Sequence, residues 1–483
     1  MNWIPLAIIT VYILLLFGIA WSTRRLSRGG MLEYLLAGRG LPFWVVVFLL
    51  TGLAIGGAST VGVAERAYTS GISAAWYDGA WAIAVVIVGL VAAHRFRRLQ
   101  MTTIPEFFER YYNIQGRVIA TIGQLVIQII ILGLQFIAGG AILHSLLPDM
   151  FSFQGGMLAT AVVFVGVTLI GGFWSAGLTN IINVILIYAG ITVGAVMIIG
   201  KIGGPREFLA RIPQSNPGFD IGGIGWGLVF AWIIVVLTQA FSVQAISQIS
   251  FAAKDARAAR KGFIVAGVFI LPAGVICGII GIAATILHPG ITPTEAFPKT
   301  VLSLSPFVAG LVLAGLWAAV LSTASALLVG NATLIVGDII KRFIAPDIDM
   351  RRERQSSRMA ILGMSIISYI IAISVSGILR TIMIALSLTA AYTLLLLMTM
   401  FWPKLCRRSH AVWTLVASMA AFAVWLIFPQ VPRFFTKIHL PHPIYMIWLV
   451  SIIAFIFIAI VDKRRIFNTT QDNQKGGLDE QKL

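Results

Sequence analysis

The chain has 483 residues, 59% hydrophobic and 11% charged, and 35 Lys and Arg against 18 Asp and Glu give it a formal charge of +17. A mean hydropathy of +0.94 excludes an ordinary soluble globule. With only Cys277 and Cys406, neither a disulfide framework nor a thiolate metal site is available.

Taking about 20 apolar residues as the length that crosses a bilayer, the chain reads as an all-α membrane protein of about 13 transmembrane helices. The expected spans are 3 to 22, 43 to 68, 74 to 93, 119 to 146, 156 to 171, 178 to 200, 223 to 250, 263 to 287, 306 to 336, 359 to 375, 382 to 402, 411 to 428 and 443 to 461. The first span has no basic residues before it and arginines after it, so it is expected to stay as an anchor and not to be cleaved as a signal peptide.

Within the second span, Gly52, Gly56 and Gly57 interrupt the apolar run. Glycine there can unwind a helix and free carbonyls at mid-membrane, which is tolerated only where the backbone lines a buried cavity or ion site. Asp78 falls at the start of the third span, where a solvated helix-start carboxylate is the plain reading. Residues 102 to 112 predict a short interfacial helix with a Thr cap and Pro105 at its first position. The seventh span has no Gly or Pro between Val229 and Ser250, so only Thr238, Gln239, Ser242 and Gln244 hint at a break. In the ninth, Ala319, Ser322 and Thr323 place two hydroxyls and a carbonyl on one helix face, a row of oxygens suited to a small hard cation. The plain alternative is hydroxyls bonding back to their own helix. The stretch 466 to 483 is polar and expected to be disordered.

If the loop after the first span is cytoplasmic, 27 of the 35 basic residues fall in inside loops and the tail. That loop-by-loop asymmetry is the positive-inside pattern, and it argues against a nucleic-acid partner. It predicts a multi-pass protein of the plasma (inner) membrane with its N-terminus outside and its C-terminus cytoplasmic. Spans 2 to 6 and 7 to 11 are expected to form five-helix repeats of opposite orientation, with the site at the midplane. The expected organisation is 1–41, an extra span and loop; 42–202, the first repeat; 203–402, the second; 403–465, two further spans; and 466–483, the tail.

Six segments in order carry a resemblance: EYLLAGRGLPFW at 33–44, TGLAIGGASTVG at 51–62 with AYTSG at 67–71, TIPEFFERYY at 103–112, GGFWSAGLTN at 171–180, QISFAAKDARAARKG at 248–262 and LWAAVLSTASALLVGNATLIVGDII at 316–340. In these the chain resembles the sodium:solute symporter family, which includes sodium/glucose, sodium/proline and sodium/pantothenate cotransporters. The resemblance implies a leucine-transporter-like 5+5 inverted repeat with broken helices. It implies a sodium site built from the carbonyls of Gly52, Ile55 and Ala319 and the hydroxyls of Ser322 and Thr323. It also puts Ser59, Asp78, Thr238 and Gln239 at substrate-binding positions, while the lysine of sugar-binding relatives falls on Ile270, so a sugar substrate is not supported. Where relatives carry an acid after the paired glycines, this chain has Asn180, which points to a single sodium.

The expected function is sodium-coupled import of a small organic solute by alternating access, with sodium as coupling ion, no other cofactor, and the solute, sodium and the lipid bilayer as partners. The rival readings are proton coupling through Asp78 or Glu65 and a transporter-like membrane sensor. An enzyme is not expected, because the six histidines show no metal spacing with carboxylates.

Overall fold

The computed structural model describes residues 3–373, 386–462 and 466. The expected tail from 467 onward and parts of the spans expected at 359 to 375 and 382 to 402 lie outside these residues. The described residues form helices and no named strand; one isolated parallel bridge joins Leu41 to Ala253.

The helices that position the site are α1 (Trp3–Thr23), α2 (Phe43–Ala54), α3 (Val63–Ser70), α4 (Trp76–Val88), α5 (Ile104–Tyr111), α6 (Ile114–Leu146), α7 (Phe153–Ile202), α8 (Trp226–Ser242), α9 (Gln244–Ala252), α10 (Ala256–Leu287), α11 (Pro306–Leu334), α12 (Met350–Ala372), α13 (Thr389–Phe401), α14 (His410–Ile427) and α15 (Pro443–Val461). By length and hydropathy, eight helices among the described residues can cross a membrane, or nine if α8 and α9 count as one bent span. The expected thirteen are not reached by that measure. One reason is that the fifth and sixth expected spans follow one another without a loop, as two helical segments, 153–171 and 173–202, each of about crossing length, that count together as α7. Its helical path is interrupted only at Gly172 (φ 55°, ψ −142°). There the backbone passes so close to Tyr34 that a Cβ would lie 2.3 Å from the Tyr34 carbonyl oxygen, so a single glycine replaces the predicted loop.

Local chemistry sets the helix starts. Thr103 caps α5 by accepting from the Glu106 N–H at 3.1 Å, and the Glu106 carboxylate accepts from the Thr102 N–H at 2.8 Å, a reciprocal pair that satisfies two orphan donors. Asp255 caps α10, accepting from the Ala258 N–H at 2.7 Å, and Asp349 caps α12.

Charges are paired where these helix ends meet. Asp338, buried just beyond α11, accepts from Arg117 of α6 and from the Thr103 hydroxyl at 2.8 Å, while Glu109 pairs with both Arg117 and Arg342. Burial works to raise the Glu109 carboxyl, yet donation from Arg342 and Arg117 holds it below the usual carboxylate range. A buried ion pair offsets its desolvation only with such added hydrogen bonds.

The break between α8 and α9 falls at Val243, in extended conformation (φ −71°, ψ 128°), and bends the pair by 48°. Its cause is a side chain of another helix. Gln124 of α6 donates to the Ser242 carbonyl at 2.9 Å and accepts from the Gln244 N–H at 3.0 Å, occupying backbone groups on both sides of the break.

Replacing this clamp by Gln124→Leu should therefore cost about 1 to 3 kcal/mol for each orphaned backbone group. Thermal unfolding of the detergent-purified protein checks this, with Thr10→Val as the reference, since the Thr10 hydroxyl bonds its own helix in an exposed position. Equal melting of the two variants would mean that the break does not depend on Gln124.

Candidate functional site

The site begins where α2 stops. Ile55 (φ −84°, ψ 80°) leaves the helical path, and the Gly56 N–H turns to the Ala54 carbonyl at 3.1 Å. The Gly57 N–H faces Gln135 Oε1 at 3.5 Å. In an unbroken helix these two N–H groups would serve the carbonyls of Gly52 and Leu53, so the break releases both oxygens. The chain resumes as a π-helical turn over Ala58–Gly62 and continues as α3.

α11 supplies what the break leaves open. The Ser322 hydroxyl lies 2.6 Å from the Gly52 carbonyl oxygen and 2.7 Å from that of Ala319. The Thr323 hydroxyl lies 3.2 Å from Gly52 O, 3.0 Å from Leu53 O and 3.2 Å from Ala319 O. Such distances require bare backbone on the opposite side: a Cβ on Gly56 would sit 2.6 Å from Thr323 Oγ1, and one on Gly57 would sit 2.6 Å from the Ala138 Cβ. The cluster holds five oxygens and only two hydroxyl protons. Lone pairs are in surplus, which is the donor set a hard monovalent cation takes.

Four of the five residues expected at the ion site thus converge: Gly52, Ala319, Ser322 and Thr323. Ile55 marks the break itself, and among the described residues no hydrogen bond joins its carbonyl to the two hydroxyls. The Leu53 carbonyl does accept from Thr323, a role with no side-chain signal in the sequence. Asn180 lies against the cluster, because a Cβ on Gly52 would be 3.0 Å from its amide carbon. It is held in a neutral chain in which the Asn183 amide donates to Asn180 Oδ1 at 3.0 Å and the Tyr12 hydroxyl donates to Asn183 Oδ1 at 2.7 Å.

Beside the cluster is a cavity whose wall includes Leu53, Gly56, Tyr77, Trp81, Gln135, Gln239 and Thr323. In this conformation the cavity has room for roughly one water. No charged side chain lines it. Gln239 Oε1 is buried and has no hydrogen-bond partner among the described residues.

Of the four residues expected to bind substrate, Gln239 lines this cavity and the other three do not. Tyr77 and Trp81, one turn apart on α4, take the cavity face, so Asp78 points about 100° away toward α10. The solvated helix-start reading of Asp78 is overturned, because the residue is fully buried. It accepts from the Ser59 hydroxyl, and its second oxygen packs against Gly274, where a Cβ would lie 2.5 Å away. Thr238 is bonded to the Val235 carbonyl at 2.8 Å and to the Thr389 hydroxyl of α13 at 2.6 Å. Gln135 and Tyr77 are the polar and aromatic lining groups that sequence reasoning did not single out; helical phase relative to Asp78 could have found Tyr77.

Comparison with known proteins now has a geometry to stand on. The model of the sodium:solute symporter family matches residues 34–417. A sodium/glucose cotransporter of Vibrio parahaemolyticus is 27% identical over 473 residues, covering 89% of this chain and 86% of that protein. A high-affinity proline transporter of Bacillus subtilis is 24% identical, covering 82% of this chain and 86% of the relative. Among solved structures, a sodium-coupled sialic acid symporter in a substrate-bound outward-open state superposes with a TM-score of 0.83 at 17% identity, over 96% of this chain and 99% of that one, so the fold is shared. Well over half the chain matches the family model, and the protein, a multi-pass membrane protein, belongs to the sodium:solute symporter family.

Proposed function

We propose that the protein is a sodium-coupled symporter that imports a small organic solute by alternating access. It would sit in the plasma (inner) membrane with its N-terminus outside and its C-terminus in the cytoplasm. The observation that carries this reading is the oxygen cluster joining the broken end of α2 to α11. Sodium among the carbonyls of Gly52 and Ala319 and the hydroxyls of Ser322 and Thr323, with Leu53 or Ile55 completing the set, would hold α2 and α11 in one arrangement. Thr323 and Leu53 belong to the cavity wall as well, so ion and solute share residues and each raises the affinity for the other by the same factor. A membrane potential of 100 mV adds about 2.3 kcal/mol per sodium, which concentrates the solute roughly fifty-fold before any sodium gradient is counted.

The uncharged lining supports a polar solute without net charge. It would offer a donor to the Gln239 oxygen. Proton coupling through Asp78 is the rival reading, supported by the burial of that carboxyl away from any cation partner; the same ion titration decides between them.

Sodium chloride should raise the melting temperature of the purified protein and potassium chloride should not. Ser322→Ala with Thr323→Val should remove that response; it also leaves the Gly52 and Leu53 carbonyls bare, so its melting temperature falls in both salts, and the readout is the difference between sodium and potassium. Ser325→Ala, one turn away, should behave like the parent. An intact sodium response in the double variant sinks the ion site.

The stoichiometry follows from Asn180. Titrating sodium against the melting shift should fit a single site, and Asn180→Asp, which puts a carboxylate beside Gly52, should change the sodium concentration at half effect. Sigmoidal dependence with a coefficient near two in the parent protein contradicts the one-ion reading.

A further inference from the structure

Three helices that line the cavity continue past it toward the end where the basic loops gather. On α6, Gln135 and Ile131 line the cavity, and Gln128 and Gln124 follow on the same face at helical spacing. On α11, Thr323 and Leu327 line it, and Gly330 and Asn331 form the next turn. On α9, Ala245 and Ile246 line it, and Gln248 follows. The helical rise puts Gln128 about 4.5 Å beyond Ile131 and Asn331 about 6 Å beyond Leu327, the last lining residues of their helices on that side. The three helices meet at Gly330, where a Cβ would lie 2.6 Å from Gln128 Oε1 and 3.3 Å from Ala245.

The amides along this track differ sharply. Gln124 clamps the break at Val243. Gln248 donates to the Leu35 carbonyl at 2.6 Å and to the Thr333 hydroxyl at 2.9 Å. Gln128 and Asn331 are both fully buried, yet the nitrogen and the oxygen of each side-chain amide have no hydrogen-bond partner among the described residues. Unpaired buried polar groups are costly and uncommon in native proteins. Two whole amides left so at one level of three cavity-lining helices call for a partner in another conformation.

We propose that Gln128 and Asn331 form a second polar station on the permeation path, closed here by the apolar turn of Ile131 and Leu327, which holds the solute between the cavity and the cytoplasm. The amides specify the ligand class. A cation would use only the two oxygens and a carboxylate only the two nitrogens, whereas an uncharged solute with both donors and acceptors engages all four atoms. The station rests on the symport reading above and refines it.

The test is cysteine accessibility in a Cys277→Ala, Cys406→Ser background. Gln128→Cys and Asn331→Cys, in inside-out vesicles, are treated with a trimethylammonium-ethyl methanethiosulfonate probe, and Val126→Cys, on the outer face of α6, is the control. Both test positions should react from the cytoplasmic side roughly tenfold faster in potassium than in sodium, as expected if sodium favours the outward-facing state by about 1.4 kcal/mol, while Val126→Cys stays unmodified. Reaction at equal rates in both salts supports the station and counts against sodium coupling, so the two readings fail separately. No reaction at either position in either salt overturns the station. As a second measurement, Gln128→Leu and Asn331→Leu should melt no lower than the parent, because the amides they remove are unbonded in the closed state. A fall of several degrees in melting temperature would mean that the amides hold the fold together, which also overturns the proposal.

Discussion

Everything at the centre of this molecule depends on one requirement: in hydrocarbon, a helix may break only where its freed backbone groups find partners within the protein. The break after Ala54 exposes the carbonyls of Gly52 and Leu53, each of which would cost several kcal/mol if left bare in an apolar medium. Ser322 and Thr323 answer with two hydroxyls, at 2.6 Å and 3.0 Å. The answer is incomplete in a useful way, since two protons serve five oxygens. What stabilises the break without an ion is therefore also what leaves room for the positive charge of one.

The second break obeys the same requirement by different chemistry. At Val243 the freed groups are an acceptor on Ser242 and a donor on Gln244, and a primary amide is the side chain that meets both at once; Gln124 does so. An amide leaves no surplus of lone pairs, so this break carries no ion-binding character of its own. The two breaks face one cavity, and the contrast between hydroxyl and amide leaves surplus lone pairs on one side of it and a neutral hydrogen-bonding surface on the other.

Charge is kept at a distance from that surface. The buried ion pairs of Arg117, Asp338, Glu109 and Arg342 lie where α5, α6 and the end of α11 meet. Asp78, the one carboxylate near the cavity's level on α4, turns from it toward Gly274 and Ser59. With no fixed charge in the wall, the potential inside the cavity is set by backbone dipoles and by whatever ion occupies the oxygen cluster. A neutral solute can then enter and leave without the large desolvation penalty of a buried ion pair.

The sequence by itself determined the class of molecule, most helix boundaries, a Thr cap before Pro105, the glycine-driven break after Ala54 and the oxygen row on α11. These are local properties: apolar run length, a capping residue, glycine spacing, and two hydroxyls in a helical register. Tertiary structure decided who partners whom. Gly52 and Ser322 are 270 residues apart, and Leu53 joins them through a carbonyl that any residue would carry. The break at Val243 is specified by Gln124, 120 residues away from Gln244, so no glycine or proline near it could announce it. One glycine at φ 55° joins two expected spans without a loop, and the phase of α4 turned Asp78 away from the cavity. In each case the deciding term is a contact between helices distant in the chain, which no pattern along a single helix contains.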